Sequence, residues 1–104
     1  MAKPGKEGLM RVEINDGVTW RDLAGDVVIL NVETGVYFGL DGAGGQIWRE
    51  LVEHGSIEKT LEALERQFDA EPDELRRDLD EIVEQLVKKR LVQLIGEKPK
   101  SRLR

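Results

Sequence analysis

Cysteine is absent from the 104 residues, which excludes disulfide staples, thiolate zinc sites and cysteine nucleophiles. Histidine occurs once, as His54, too few for a multi-histidine metal site; a Ser-His relay there lacks any specific sequence partner. Aromatics are sparse: two Trp, one Tyr and two Phe. No apolar run approaches the ~18 residues of a membrane-spanning helix. The first ten residues, MAKPGKEGLM, lack the apolar segment of a secretory signal. Positive charge is scarce where it matters. Residues 12–95 hold nine Lys/Arg against nineteen Asp/Glu, a surplus of ten negative charges flanked by basic ends. Such a body repels phosphate backbones. What remains is one small cytoplasmic domain with a modest core. Neither a cofactor nor a metal is expected, and neither nucleic acid nor a membrane is an expected partner.

The chain divides into a loose arm over residues 1–8, a domain over 9–95 and a basic disordered tail over 96–104. Met10, Val12 and Ile14 alternate with polar residues at the strand period of two. Asp16-Gly17 and Gly25-Asp26 signal turns around a second short strand holding Val18, Trp20 and Leu23. Val27 to Val32 is β-branched and nearly continuous, which reads as a well-buried strand. Glu33-Thr34-Gly35 then closes a hairpin with Val36 to Leu40. Alternation sends Val36, Phe38 and Leu40 to the core and Tyr37 and Gly39 to the opposite face.

Beyond Leu40 the apolar period becomes 3.6. Asp41 is the expected N-cap of a helix through about Val52, with Ile47, Trp48, Leu51 and Val52 inward and Gly55 as its C-terminal stop. Ser56 caps a second helix that buries Ile57, Leu61, Leu64 and Phe68. Pro72 suits the first turn of a third, whose stripe is Leu75, Leu79, Ile82, Val83, Leu86 and Val87. Lys88, Lys89 and Arg90 sit at its negative end, as the helix dipole favours. Leu91 to Ile95 reads as a last short strand or an extended cover. The layout is α+β: a small antiparallel sheet, then three helices.

Chemistry-bearing motifs are few. Asp41-Gly42-Ala43-Gly44-Gly45 lacks the Gly-Lys-Ser/Thr ending that would hold a phosphate and its metal. The carboxylates of the second and third helices follow surface spacing. Asp69, Glu71 and Asp73 lack the glycine and terminal Glu of a calcium loop. An enzyme is therefore not expected. One feature does suggest a function. A strand at 36–40 that follows a hairpin and leads into a helix is a candidate sheet edge, open to an extended peptide. Tyr37 either covers the sheet or marks that contact surface.

The run Val28-Ile-Leu-Asn-Val-Glu-Thr-Gly-Val-Tyr-Phe-Gly-Leu40 pairs an aliphatic strand with an aromatic one across an acidic-x-Gly turn. A Gly/Ala-rich helix start, Ile47-Trp48, Gly55 before a Ser-led helix, and Leu79, Ile82, Leu86 and Leu91-Val92 follow in order. Over about residues 12–95 this order resembles the PqqD family, the precursor-peptide recognition elements of ribosomal peptide biosynthesis. PqqD proteins of quinone-cofactor synthesis tend to carry an aromatic-Pro-Glu style turn. The turn of this chain, Asn31 to Gly35, looks more like that of the stand-alone recognition proteins of lasso-peptide clusters, which work with a separate leader peptidase.

The resemblance implies a winged helix-turn-helix-like domain of three strands and three helices, with room for a further short N-terminal strand. It also implies that a precursor leader adds as a strand in the cleft between the third strand and the third helix. Carried onto this sequence, the strand is Val36, Tyr37, Phe38, Gly39 and Leu40. The expected helix wall is Arg76, Asp80, Val83 and Val87, which share one side at 3–4 residue spacing. The domain would do no chemistry and would deliver the leader to a peptidase or modifying enzyme. Two alternatives accompany this reading. One is a peptide chaperone for a radical-SAM enzyme of quinone-cofactor synthesis. The other is a winged-helix DNA-binding regulator, opposed by seven carboxylates against Arg76 and Arg77 over residues 71–84.

Overall fold

The computed structural model describes residues 10–96. The expected N-terminal arm and most of the basic tail lie outside the described residues. The elements in chain order are β1 (Met10–Ile14), β2 (Val18–Leu23), β3 (Asp26–Asn31), β4 (Tyr37–Leu40), α1 (Gly42–His54), α2 (Ile57–Gln67), α3 (Pro72–Lys88) and β5 (Val92–Gly96). The α+β layout of a three-stranded antiparallel sheet and three helices is present, with an extra strand pair.

The sheet is a meander in the order β2-β3-β4. Val18 faces Asn31 across the first pair and Val27 faces Leu40 across the second. Ala24 and Gly25 form the two-residue turn between β2 and β3, both at positive φ (54° and 96°). That pair of left-handed residues matches the right-handed twist of the strands it joins. β1 does not extend the meander. It pairs with β5, Met10 opposite Gly96 and Ile14 opposite Val92. Leu91 to Ile95 is thus the strand alternative of the two that the sequence left open. Gly96, expected to begin the tail, instead closes this ribbon.

The helices cover one face of the meander, and this decides the burial of β3. Val27, Ile29 and Asn31 are buried, whereas Val28 and Leu30 on the other face are half-buried. The strand expected to be well buried is thus fully buried on one face and half-buried on the other. In α1, Gly45 rides close on the sheet: a Cβ there would meet the Gly25 carbonyl oxygen at 3.1 Å and Val27 Cγ2 at 3.3 Å. Asp41 stands at the N-cap without a capping side-chain bond; its backbone oxygen accepts from Gly44 N at 2.9 Å. Gly55 ends α1 in the left-handed conformation, and Ser56 Oγ accepts from Lys59 N to cap α2.

Leu75, Leu79, Val83 and Leu86 of α3 join Trp48, Leu51, Leu64 and Leu91 in the core. Trp20 meets Trp48 edge-on, with ring centroids 5.8 Å apart. Ile82, Leu61 and Phe68 are partly buried against this cluster, while Val52 and Val87 are exposed. Among the described residues no helix is long and apolar enough to cross a membrane.

Candidate functional site

β4 lies at one edge of the meander, and among the described residues no strand pairs with its outer side. The ladder parity shows which groups this edge offers. Asn31 N donates to Val36 O at 2.9 Å. Alternation along an antiparallel strand then turns the amides and carbonyls of Phe38 and Leu40 toward β3, and those of Tyr37 and Gly39 outward. The side chains divide in the same register. Leu40 is buried and Phe38 packs against the core, whereas Tyr37 is 69% exposed on the other face. Nothing lies within 4 Å of a Cβ built on Gly39. A depression of about 310 Å³ runs past Gly39 and Leu40 to Asp26 and Asp41.

α3 forms the second wall on the core side of this edge. A Cβ at Gly44 would meet Leu40 Cδ2 at 3.2 Å and Ile82 Cδ1 at 3.8 Å, so Ile82 reaches the corner where β4 becomes α1. One helical repeat of seven residues further on, the Lys89 ammonium sits 5.4 Å from the centroid of the Phe38 ring. Ile82 and Lys89 thus mark the flank of α3 that faces β4.

A polar strap fixes that helix end to the hairpin. Asn31, 4% exposed, accepts from Glu33 N and Thr34 N through Oδ1 and donates through Nδ2 to Arg90 O at 3.2 Å. Asn15 Nδ2 donates to the same carbonyl at 2.8 Å. Arg90 is left-handed at φ 61°, and Leu91 N donates to Leu86 O in the wider loop of a helix stop. A non-glycine residue in this conformation carries backbone strain. The two asparagine amides hold its carbonyl in place.

The expected site residues fall into two places. Val36, Tyr37, Phe38, Gly39 and Leu40 form the open edge and the approach to it. Arg76, Asp80, Val83 and Val87 do come together, but in a different groove of about 480 Å³, whose other residues include Met10, Ile57, Glu58 and Leu94. The two sets of α3 residues lie on opposite sides of the Leu75-Leu79-Leu86 stripe, roughly 90° from it for Arg76, Asp80, Val83 and Val87 and roughly 50° for Ile82 and Lys89, at about 100° per residue. The four expected wall residues line the other groove, while the α3 flank that faces β4 carries Ile82 and Lys89. Sequence reasoning had placed the first in the core and the second at the helix dipole. Their seven-residue spacing was a visible signal, without an indication of which flank the sheet would meet.

Residues 26–92 match the family described as "Coenzyme PQQ synthesis protein D (PqqD)". The fold is similar to that of the chain solved as "TbiB1 in Complex with the TbiA(beta) Leader Peptide". The TM-score is 0.72 and the identity 32%, over 78% of this chain and 94% of that one. It is also similar to "Lasso peptide synthetase B1 complexed with the leader peptide", with a TM-score of 0.70 and 17% identity, over 80% of this chain and 98% of that one; this second likeness bears on the fold alone. Curated protein sequences give no match. By the family match across residues 26–92, joined to 32% identity along most of a solved relative, the chain belongs to the PqqD family.

Proposed function

We propose that this chain binds the leader region of a ribosomally synthesised precursor peptide, as a fourth strand added to β4. In this reading it delivers the bound leader to a separate leader peptidase or modifying enzyme in lasso-peptide-type biosynthesis. The work is done in the cytoplasm and involves no catalysis by the domain itself. The observation that carries the reading is the unpaired outer edge of β4, which turns the N–H and C=O of Tyr37 and Gly39 outward beside a helix wall. Backbone pairing with Tyr37 and Gly39 supplies affinity that is indifferent to sequence, and contacts to Phe38, Leu40 and Ile82 supply selection. The lasso-type assignment rests on the Glu33-Thr34-Gly35 turn and on the likeness to TbiB1, a protein solved with a leader peptide.

The test is a fluorescence-polarisation titration with the labelled leader of the accompanying precursor. Saturable binding that spares the core peptide is expected. Gly39→Pro removes an outward N–H that the fold does not use, and proline is tolerated on an edge strand. It should weaken the leader by about tenfold or more. Unchanged affinity in a folded Gly39→Pro protein would sink strand addition at β4. Delivery is tested separately, by comparing cleavage of the precursor by the leader peptidase with and without this chain; equal rates would remove that half of the reading.

A further inference from the structure

We infer that Lys89 is a specificity-determining residue that selects a carboxylate side chain on the strand added to β4. The inference rests on the strand-addition reading and names one chemical requirement of the peptide. Lys88, Lys89 and Arg90 are consecutive, yet the fold sends them to different tasks. Lys88 lines the groove on the far flank of α3. Arg90 makes the left-handed turn whose carbonyl the two asparagines hold. Lys89 alone of the three is set over the Phe38 ring, half-buried. Among the described residues no carboxylate pairs with it. A partly desolvated ammonium against an aromatic face gains from the ring, and gains more from an anion brought into the same low-dielectric place.

The register says where that anion must stand. The amide and carbonyl of Phe38 point toward β3, so an antiparallel added strand meets Phe38 as a non-hydrogen-bonded pair, the closer kind. Directly opposed residues project to the same face. The peptide residue opposite Phe38 therefore points toward α3, beside the ring and under the Lys89 ammonium. Its neighbours opposite Tyr37 and Gly39 point to the other face. The next residue on the α3 side, two positions along, stands opposite Leu40, where Leu40 and Ile82 supply aliphatic surface and Asp26 and Asp41 add carboxylates nearby that disfavour an acid. The chemical class that follows is an extended segment with Asp or Glu opposite Phe38 and an aliphatic residue two positions away opposite Leu40. Asn31 keeps the cation in register, since it ties the end of β3 to the residue after Lys89.

The experiment is selection from a displayed library of random dodecapeptides, on the full chain, on Lys89→Glu and on Lys89→Met, with Gly39→Pro as the counter-selection. Peptides retained by the wild type and lost on Gly39→Pro are expected to carry Asp or Glu two positions from an aliphatic residue. Exchanging that acid for Lys in one enriched peptide should weaken the wild type by about tenfold or more, and should strengthen binding to Lys89→Glu. Lys89→Met keeps the stem over the ring and should lose the charge preference without inverting it. Gly39-dependent peptides with the same charge at that position in all three proteins would overturn the role of Lys89 and leave strand addition standing. Enrichment of no Gly39-dependent peptide would overturn both.

Discussion

The two flanks of α3 make an instructive pair. Each presents an apolar side chain and a charged one to a neighbouring strand pair or sheet. On one flank Ile82 and Lys89 face β4, whose outer amides and carbonyls have no strand beside them. On the other flank Arg76, Asp80, Val83 and Val87 face Met10, Ile57 and Leu94, and the strands there, β1 and β5, are already paired with each other. The second groove shows much exposed apolar surface, with Val87 at 38% and Leu94 at 39%. What separates the two is what the backbone presents: a strand edge beside Ile82 and Lys89, against the side-chain face of the β1-β5 ribbon on the far flank. An unpaired edge can take an extended peptide of many sequences through directional bonds, whereas an apolar groove depends on matched side chains.

The largest expected effect breaks both flanks at once. Leu79 is fully buried on the α3 stripe between them. Leu79→Ala should cost about 3–5 kcal/mol, read as the fall in urea-unfolding free energy, and peptide binding should decline with the folded fraction. A loss well under that range would mean that α3 is not seated as described. The next experiment separates the flanks. Gly39→Pro should reduce peptide affinity by about tenfold or more, whereas Val87→Asp, on the far flank, should leave it within about twofold. The reverse ranking would transfer the peptide to the groove of Arg76, Asp80 and Val83.

Much of this architecture was legible from the period of the apolar residues. The strand alternation placed Phe38 and Leu40 inward and Tyr37 outward, and the caps at Gly55, Ser56 and Pro72 stand where the sequence put them. What stayed hidden depends on contacts distant along the chain. The pairing of β1 with β5 joins Met10 to Gly96, and no local signal specifies it. Helical periodicity identified the stripe of α3, but two flanks border any stripe symmetrically, and only the docking of the helix chooses which one meets the sheet. In the sequence Asn31 stands within a nearly continuous aliphatic run and opens the turn that ends at Gly35. Its role emerges only when the end of α3 comes back beside it, 59 positions later.

That strap supplies a smaller and more selective break. Asn31→Ala removes the amide that accepts from Glu33 N and Thr34 N and donates to Arg90 O. The turn amides can be hydrated and Asn15 still holds the Arg90 carbonyl, so the expected cost is about 1–3 kcal/mol in unfolding free energy. Peptide affinity should fall beyond what the folded fraction explains, because the wall carrying Lys89 is no longer tied to the hairpin. A stability loss with unaltered affinity of the folded protein would show that the cleft is set by core packing instead.

The smallest expected effect has the opposite sign and touches neither flank. Ala24 is held at φ 54° in the turn between β2 and β3, a conformation unfavourable to a residue with a Cβ. Asparagine before glycine is the preferred pair for such a turn, because its short polar side chain tolerates both left-handed positions. Ala24→Asn should raise stability by about 0.5–1 kcal/mol and Tm by a few degrees. β2 is the strand of the meander farthest from the open edge, so peptide affinity should not change. A change in affinity would mean that the turn and β4 move as one unit, and the contrast between the two flanks would then have to include the rigidity of the whole meander.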